Sequence, residues 1–396
     1  MRPMRRRLPA RRGFFAGRYR AALARREGEG TLRSTQAQPA GLVDFASNDY
    51  LGLARDATFA AAHFREEAGR TDAQTGSGGS RLLTGASAAH DAFEAFAAAF
   101  HEREGALLFG SGYAANCAVS ATLPLTNDAV LYDERSHNAT RFGLRRSRGT
   151  AIAFRHNDVA DVASKLRDRQ EAGALICVES VYSMDGDEAP LRALAELCLA
   201  DGRAGLVVDE AHSTGILGPR GAGAVALLPQ PLKRAVVAQV HTFGKALGGH
   251  GAVICCDATT REYLANYAQP FIYATAPPAS HARLARRAYD AVAAAEPARR
   301  RLDQLVDLFR AECAVPALLP SRTPIQAVLA PGAAAALRAA ERVRSSGFDV
   351  RAIRAPTVPA GAERLRVVLH AFNTPEEVAG VARAVRGAVE SPGEGL

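Results

Sequence analysis

The 396-residue chain carries 49 basic and 41 acidic side chains, a formal charge of +8, 48% hydrophobic residues and no tryptophan. At roughly 100 to 200 residues per domain this allows two or three domains with a large core, and no window of about 18 uncharged apolar residues exists to form a membrane-spanning helix. Only three of the basic residues are lysines: Lys165, Lys233 and Lys245.

The chain opens on Arg2, Arg5, Arg6, Arg7, Arg11 and Arg12 around two prolines, a pattern that predicts a solvated tail rather than a site for an anionic partner. Leu8-Pro9-Ala10 does not supply the apolar stretch of about 7 to 15 residues that a secretion signal needs. A cytoplasmic location is expected, with no membrane and no nucleic-acid partner. The six cysteines (117, 177, 198, 255, 256 and 313) are scattered without a C-x-x-C pair or a histidine at ligand spacing, so neither a disulfide framework nor a metal site is expected.

Gly76-Ser77-Gly78-Gly79-Ser80-Arg81 reads as a loop and not as a dinucleotide fingerprint, because Arg81 stands where the last glycine belongs. From there, short apolar runs alternate with Ala-rich amphipathic stretches, the pattern of βα units around a mostly parallel sheet. Strands are predicted at 105–109, 129–132, 174–178, 205–208, 236–240 and 252–255. In open α/β sheets ligands sit beyond the carboxyl ends of the strands. The turns that follow them are therefore the places to look for chemistry.

Three such turns stand out. The first strand runs into Gly110-Ser111-Gly112-Tyr113-Ala114-Ala115-Asn116, where small residues at a helix start let backbone N–H groups approach a phosphate, and Tyr113 can lay its ring on a planar ligand. The strand at 205–208 ends in Asp209-Glu210-Ala211-His212-Ser213-Thr214, a carboxylate and an imidazole three residues apart. The same string would suit an ATP-dependent helicase, but the one Gly-Lys pair, Gly244-Lys245, is followed by Ala246 and has Gln239 at the leading glycine position. The third turn is Thr242-Phe243-Gly244-Lys245-Ala246-Leu247-Gly248, a lysine among small and apolar residues with no acidic neighbour. Lys165 and Lys233 sit among charged residues and read as surface groups. Where arginine serves for solubility, a lysine in such a setting points to a need for an amine that can lose its proton.

A lysine, a carboxylate and a phosphate cradle, in this chain order, match pyridoxal 5'-phosphate, whose ring nitrogen needs a carboxylate partner to stay protonated. Thr242 and Ser183 can add hydroxyl contacts, and His212 can bond the ring hydroxyl. Beyond the sheet, an Ala/Arg/Glu/Leu pattern predicts one long helix from about Ser280 to Cys313. A strand is predicted at 365–369, and a closing helix is opened by Thr374-Pro375-Glu376-Glu377. The predicted organisation is an N-terminal arm (1–45), a large domain (46–283) and a C-terminal small α/β domain (284–396).

With these motifs, and with Ser47-Asn48-Asp49-Tyr50-Leu51-Gly52-Leu53, Ser183-Met184-Asp185-Gly186-Asp187, and Pro356-Thr357-Val358-Pro359-Ala360-Gly361, the sequence resembles the α-oxoamine synthases. The resemblance covers nearly the whole chain after about residue 30. It implies a fold-type I pyridoxal-phosphate transferase in which Lys245 carries the cofactor covalently and Asp209 pairs with the pyridine nitrogen. His137 stacks on the ring, Gly112 and Tyr113 present backbone to the cofactor, Ser183 and His212 bond it, and Thr242 contacts its phosphate. Thr275 resembles the threonine that reaches a phosphate from the neighbouring subunit, implying a homodimer. Arg354 resembles the arginine that grips the amino-acid carboxylate, while Arg33, Asn48 and Thr357 match substrate-contacting positions. The implied reaction joins L-alanine to a pimeloyl thioester, on coenzyme A or acyl carrier protein, giving 8-amino-7-oxononanoate for biotin synthesis. Glycine or serine with another acyl thioester is the alternative, and a silent binding subunit is the reading from another class. Departures from the family pattern are His241, Phe243 and Gly244 before the lysine, Ala276 in place of leucine, and Phe372-Asn373-Thr374.

Overall fold

The structure, a computed structural model, describes residues 12–33, 35, 41–168 and 173–390. The arginines of the first eleven residues lie outside the described part. Strands in chain order are β1 (Val43–Asp44), β2 (Gly105–Phe109), β3 (Ala129–Asp133), β4 (Thr150–Phe154), β5 (Ala174–Glu179), β6 (Ala204–Asp209), β7 (Val236–Thr242), β8 (Ala252–Cys256), β9 (Ile325–Leu329), β10 (Phe348–Asp349), β11 (Arg351–Ile353) and β12 (Arg364–Val368).

Seven strands form the central sheet in the order β2-β8-β7-β6-β5-β3-β4, parallel throughout except for β8, which runs antiparallel to both neighbours. Helices cover both faces, which is why the strands are continuous apolar runs: all five residues of inner β8 are buried, and so are all five of β2 at one edge. Strand β4 was not predicted. It is the edge strand opposite β2, and three of its five residues are exposed, so burial writes little apolar signal into Thr-Ala-Ile-Ala-Phe. Because all strands but β8 run the same way, the carboxyl ends of β2, β3, β4, β5, β6 and β7 lie at one edge of the sheet.

A second, antiparallel sheet, β11-β12-β9, packs with the C-terminal helices around its own core of Leu365, Val367, Val378, Val381 and Val385. Phe45 and Tyr50 join this core, and β1 pairs in parallel with β10, Val43 opposite Phe348. The long helix predicted after Ser280 is two helices, Ala279–Ala294 and Glu296–Cys313, separated at Ala295. Pro297 enters the second helix at its start, where its missing N–H costs nothing. The first helix packs on Ala88–Phe100 and the second on the closing helix Pro375–Glu390. We therefore propose that the change of unit falls at Ala295 and not at residue 284. The predicted capping box is present: Thr374 Oγ1 accepts from Glu377 N at 3.2 Å while Glu377 Oε2 accepts from Thr374 N at 2.9 Å.

Among the described residues no helix is long and apolar enough to cross a membrane. All six cysteines are buried free thiols.

Candidate active site

The strand ends converge on a cavity of about 250 Å³ lined by residues from every one of the three predicted turns. Lys245 enters it from the loop after β7, where Gly248 N bonds the Lys245 carbonyl at 2.8 Å and fixes the turn. Its ammonium donates no hydrogen bond among the described residues. Burial lowers its pKa to about 8, against the opposing pull of Asp209 and Glu179. An amine so placed is partly unprotonated near neutral pH.

Asp209 ends β6 and is buried. Its Oδ1 accepts from Ala211 N at 2.9 Å and its Oδ2 from Asn116 Nδ2 at 2.8 Å. Sheet register sets Glu179, the last residue of β5, directly beside it. Burial and the neighbouring Asp209 push the Glu179 carboxyl up to about 8, against the pull of Lys245, and its Oε1 has no partner among the described residues. His212 Nδ1 meets Tyr50 Oη at 2.6 Å, and burial holds the ring neutral. His137 caps the helix Asn138–Leu144, its Nδ1 accepting from Ala139 N at 3.2 Å. Its ring stands edge-on to Tyr113, with centroids 6.5 Å apart.

At the opposite end, Ser111 caps the helix Gly112–Thr122 by accepting from Ala114 N at 3.1 Å. A Cβ on Gly112 would lie 2.4 Å from Thr242 Cγ2, so only glycine leaves the helix start open beside the buried, unpartnered Thr242 Oγ1. Free helix N–H groups with an orphaned hydroxyl form a phosphate-sized cradle. A reactive amine, a buried carboxylate and this cradle in one cavity fit pyridoxal phosphate.

Not every predicted residue lines that cavity. Ser183 and Thr357 line a neighbouring one of about 600 Å³. Over it, Arg33 Nη2 donates to Thr357 Oγ1 at 3.1 Å, and Arg354 donates to the Gly30 carbonyl. The arm thus carries Arg33 to Thr357, 324 positions away in sequence. Thr275 is exposed and forms a bridge with Ser80 in the Gly-rich loop, outside both cavities.

A model of aminotransferase class I and II proteins matches residues 40–385. The chain belongs to the aminotransferase class I and II family. Within this family it is 40% identical to the 8-amino-7-oxononanoate synthase of Emericella nidulans, over 92% of this chain and 94% of that one. A solved structure of 8-amino-7-oxononanoate synthase from Francisella tularensis shares 27% identity and a TM-score of 0.72, covering 89% of this chain and 99% of that one. A serine palmitoyltransferase from S. paucimobilis with a bound PLP–myriocin aldimine shares 26% identity and a TM-score of 0.85, covering 96% of this chain and 98% of that one. The fold is fold-type I, as expected.

Four residues of this aminotransferase-family site carried no role in the sequence reading: Tyr50, Asn116, Glu179 and Arg366. Arg366 is a buried cation whose Nη2 donates to Asn48 Oδ1 at 3.0 Å and whose Nε donates to the Ser183 carbonyl at 2.7 Å. Tyr50 and Asn116 fall within quoted motifs, yet their partners, His212 and Asp209, are 162 and 93 positions away. Only the tertiary fold reveals those contacts.

Proposed function

We propose that the protein binds pyridoxal phosphate and condenses L-alanine with a pimeloyl thioester, giving 8-amino-7-oxononanoate, carbon dioxide and the free thiol. The observation that carries the reading is the convergence of Lys245, Asp209 and the Gly112–Thr242 cradle in one cavity. Relatives named for this reaction, about 40% identical over nearly the full length, support the choice of substrates.

Lys245 would hold the cofactor, Asp209 would pair with its ring nitrogen, and Asn116 would keep that carboxylate oriented. Gly112, Tyr113 and Thr242 would take its phosphate, with His212 at its ring hydroxyl and His137 over its face, while Ser183 stands in the adjoining cavity. When bound, pyridoxal phosphate supplies an electron sink for charge developing at the amino-acid α-carbon. Lys245, its amine free once the amino group of alanine has replaced it, would take the α-proton as general base, a role its lowered pKa of about 8 suits. The buried cation of Arg366 is held against Asn48, which lines the lysine cavity, and Arg354 with Arg33 and Thr357 borders the adjoining cavity. Overall, the alanine α-carbon gains a bond to the acyl carbon, the C–S bond of the thioester breaks to release thiol, and the alanine carboxyl leaves as carbon dioxide.

Thr275, exposed and remote from its own cavity, suits a role in the cavity of a second subunit, and we infer a homodimer. The reaction is tested by incubating the cofactor-loaded protein with alanine, glycine, serine or threonine and short, pimeloyl or long acyl thioesters, and measuring released thiol. Alanine with the pimeloyl thioester should give the highest rate and a product of the mass of 8-amino-7-oxononanoate. Preference for glycine or for long acyl chains would refute the substrate assignment.

A further inference from the structure

The larger cavity has three walls: residues 134–136 after β3, residues 182–185 after β5, and residues 355–360 before β12. Met184, Pro356 and Val358 give it an apolar lining, and Arg135, Arg141 and Arg364 give it cations. That combination suits an acyl chain with anionic ends. It borders the lysine cavity through Ser136 and Ser183, next to His137.

One side chain ties the first two walls together from behind. His156, just after the edge strand β4, places Nδ1 at 2.9 Å and 3.0 Å from the two oxygens of Asp133, and Nε2 at 2.6 Å from Asp187 Oδ2. Asp133 immediately precedes the first wall and Asp187 closely follows the second. Asn157 reinforces the same link, its N–H donating to Asp133 at 2.9 Å and its amide to Asp187 at 2.9 Å. The imidazole also stands edge-on to Tyr182, at 4.5 Å between centroids, inside the second wall.

We propose that His156 is a positioning residue whose doubly bonded imidazolium sets the spacing of the two walls and so the fit of the acyl thioester. The proposal rests on the reaction assigned above. Burial opposes the charge on His156, but Asp133 and Asp187 overcome it and raise its pKa to about 9. The other charged groups near the clamp are Glu134, whose Oε1 accepts from His156 N at 3.3 Å, Arg155 beside it in the chain, and Asp185. Asp185 is paired with Arg135 and Arg364. The Arg135–Asp185 pair spans the same gap, but Arg135 is half exposed and such pairs hold little. Above about pH 9 the imidazole loses one proton and turns a lone pair toward one of the carboxylates, so the clamp loosens.

The test uses the cofactor-loaded protein, with pimeloyl-CoA and L-alanine as probes and His156→Gln as the variant. Loss of one charge-assisted hydrogen bond should raise KM for pimeloyl-CoA about tenfold and leave KM for alanine within about twofold. The wild type should show the same rise as pH passes about 9, and the variant should not. Amide hydrogen exchange should be faster at 133–137 and 181–188 in the variant, and unchanged in the helix Ala279–Ala294. Equal KM values for pimeloyl-CoA in both proteins, or a matched loss for both substrates with a lowered melting temperature, would overturn the clamp. If the wild type releases no thiol from pimeloyl-CoA, the assigned reaction fails and hydrogen exchange alone decides: acceleration supports the clamp and its absence refutes it. If the variant does not fold, the pH series on the wild type decides in the same way.

Discussion

Replacing Gly112 by alanine adds one methyl group where the structure has no room for it. The new Cβ would stand 2.4 Å from Thr242 Cγ2 and 3.2 Å from Thr242 Cβ, well inside the contact distance of about 3.5 to 4 Å between carbons. Thr242 ends β7 and is buried, so it relieves the clash by turning its side chain, which swings Oγ1 out of the cradle. The lost bond to a charged phosphate is worth about 1.5 to 3 kcal/mol, or roughly a 10- to 100-fold weaker cofactor affinity. Fold stability should change little, since the strain is confined to one rotamer. The assay is an absorbance titration of cofactor-free protein with pyridoxal phosphate and, separately, with pyridoxal. Gly112→Ala should weaken the phosphorylated ligand and leave pyridoxal unaffected. An unchanged pyridoxal-phosphate affinity, or equal losses for both ligands, would refute the cradle.

Glu179→Gln removes a carboxylate that raises the Lys245 pKa, so that pKa should drop below about 8. Competitive acetylation of cofactor-free protein across pH reads this directly, and an unchanged or raised value would count against the coupling. His241 is buried against His101, rings stacked at 3.6 Å, and burial holds its pKa well below the usual value. Because the unfolded chain takes up the proton first, the stability due to the neutral ring is present above about pH 6.5 and falls by about 1.4 kcal/mol per pH unit below it. The urea-unfolding difference between wild type and His241→Gln should shrink with that slope, and a difference constant with pH would contradict the reasoning. If Thr275 serves the neighbouring subunit, Lys245→Ala and Thr275→Glu proteins should each be inactive alone. After subunit exchange they should regain roughly a quarter of wild-type activity, since half the dimers are mixed and each has one intact site. No recovery would refute the shared site.

The parts of this molecule legible in its sequence are those fixed by local chemistry. Six strands, five inner ones and β2 at one edge, announce themselves because burial on both faces demands continuous apolar runs, and the three turns after 105–109, 205–208 and 236–240 carry residue types with few other uses. The break at Ala295 stayed hidden because Pro297 is compatible with the first turn of a helix and leaves the apolar periodicity almost intact on either side. Edge strand β4 stayed hidden because exposure removes the pattern. Within the site, Lys245 and Asp209 were readable from their strings. The neighbouring carboxyl of Glu179 was not, because its place depends on the register between β5 and β6. Arg366 closes the stretch Ile353 to Arg366 that carries part of the resemblance, but its role stayed unread because its buried contact with Asn48 joins segments 318 positions apart.

Lys245 is the group proposed to carry the cofactor and move the α-proton, and its replacement is the most direct test. Lys245→Ala protein, purified alongside the wild type, should lack the yellow chromophore that borohydride fixes to the chain, and should release no thiol from pimeloyl-CoA with alanine, while keeping its melting temperature within a few degrees. A Lys245→Ala protein that turns over at the wild-type rate would contradict it.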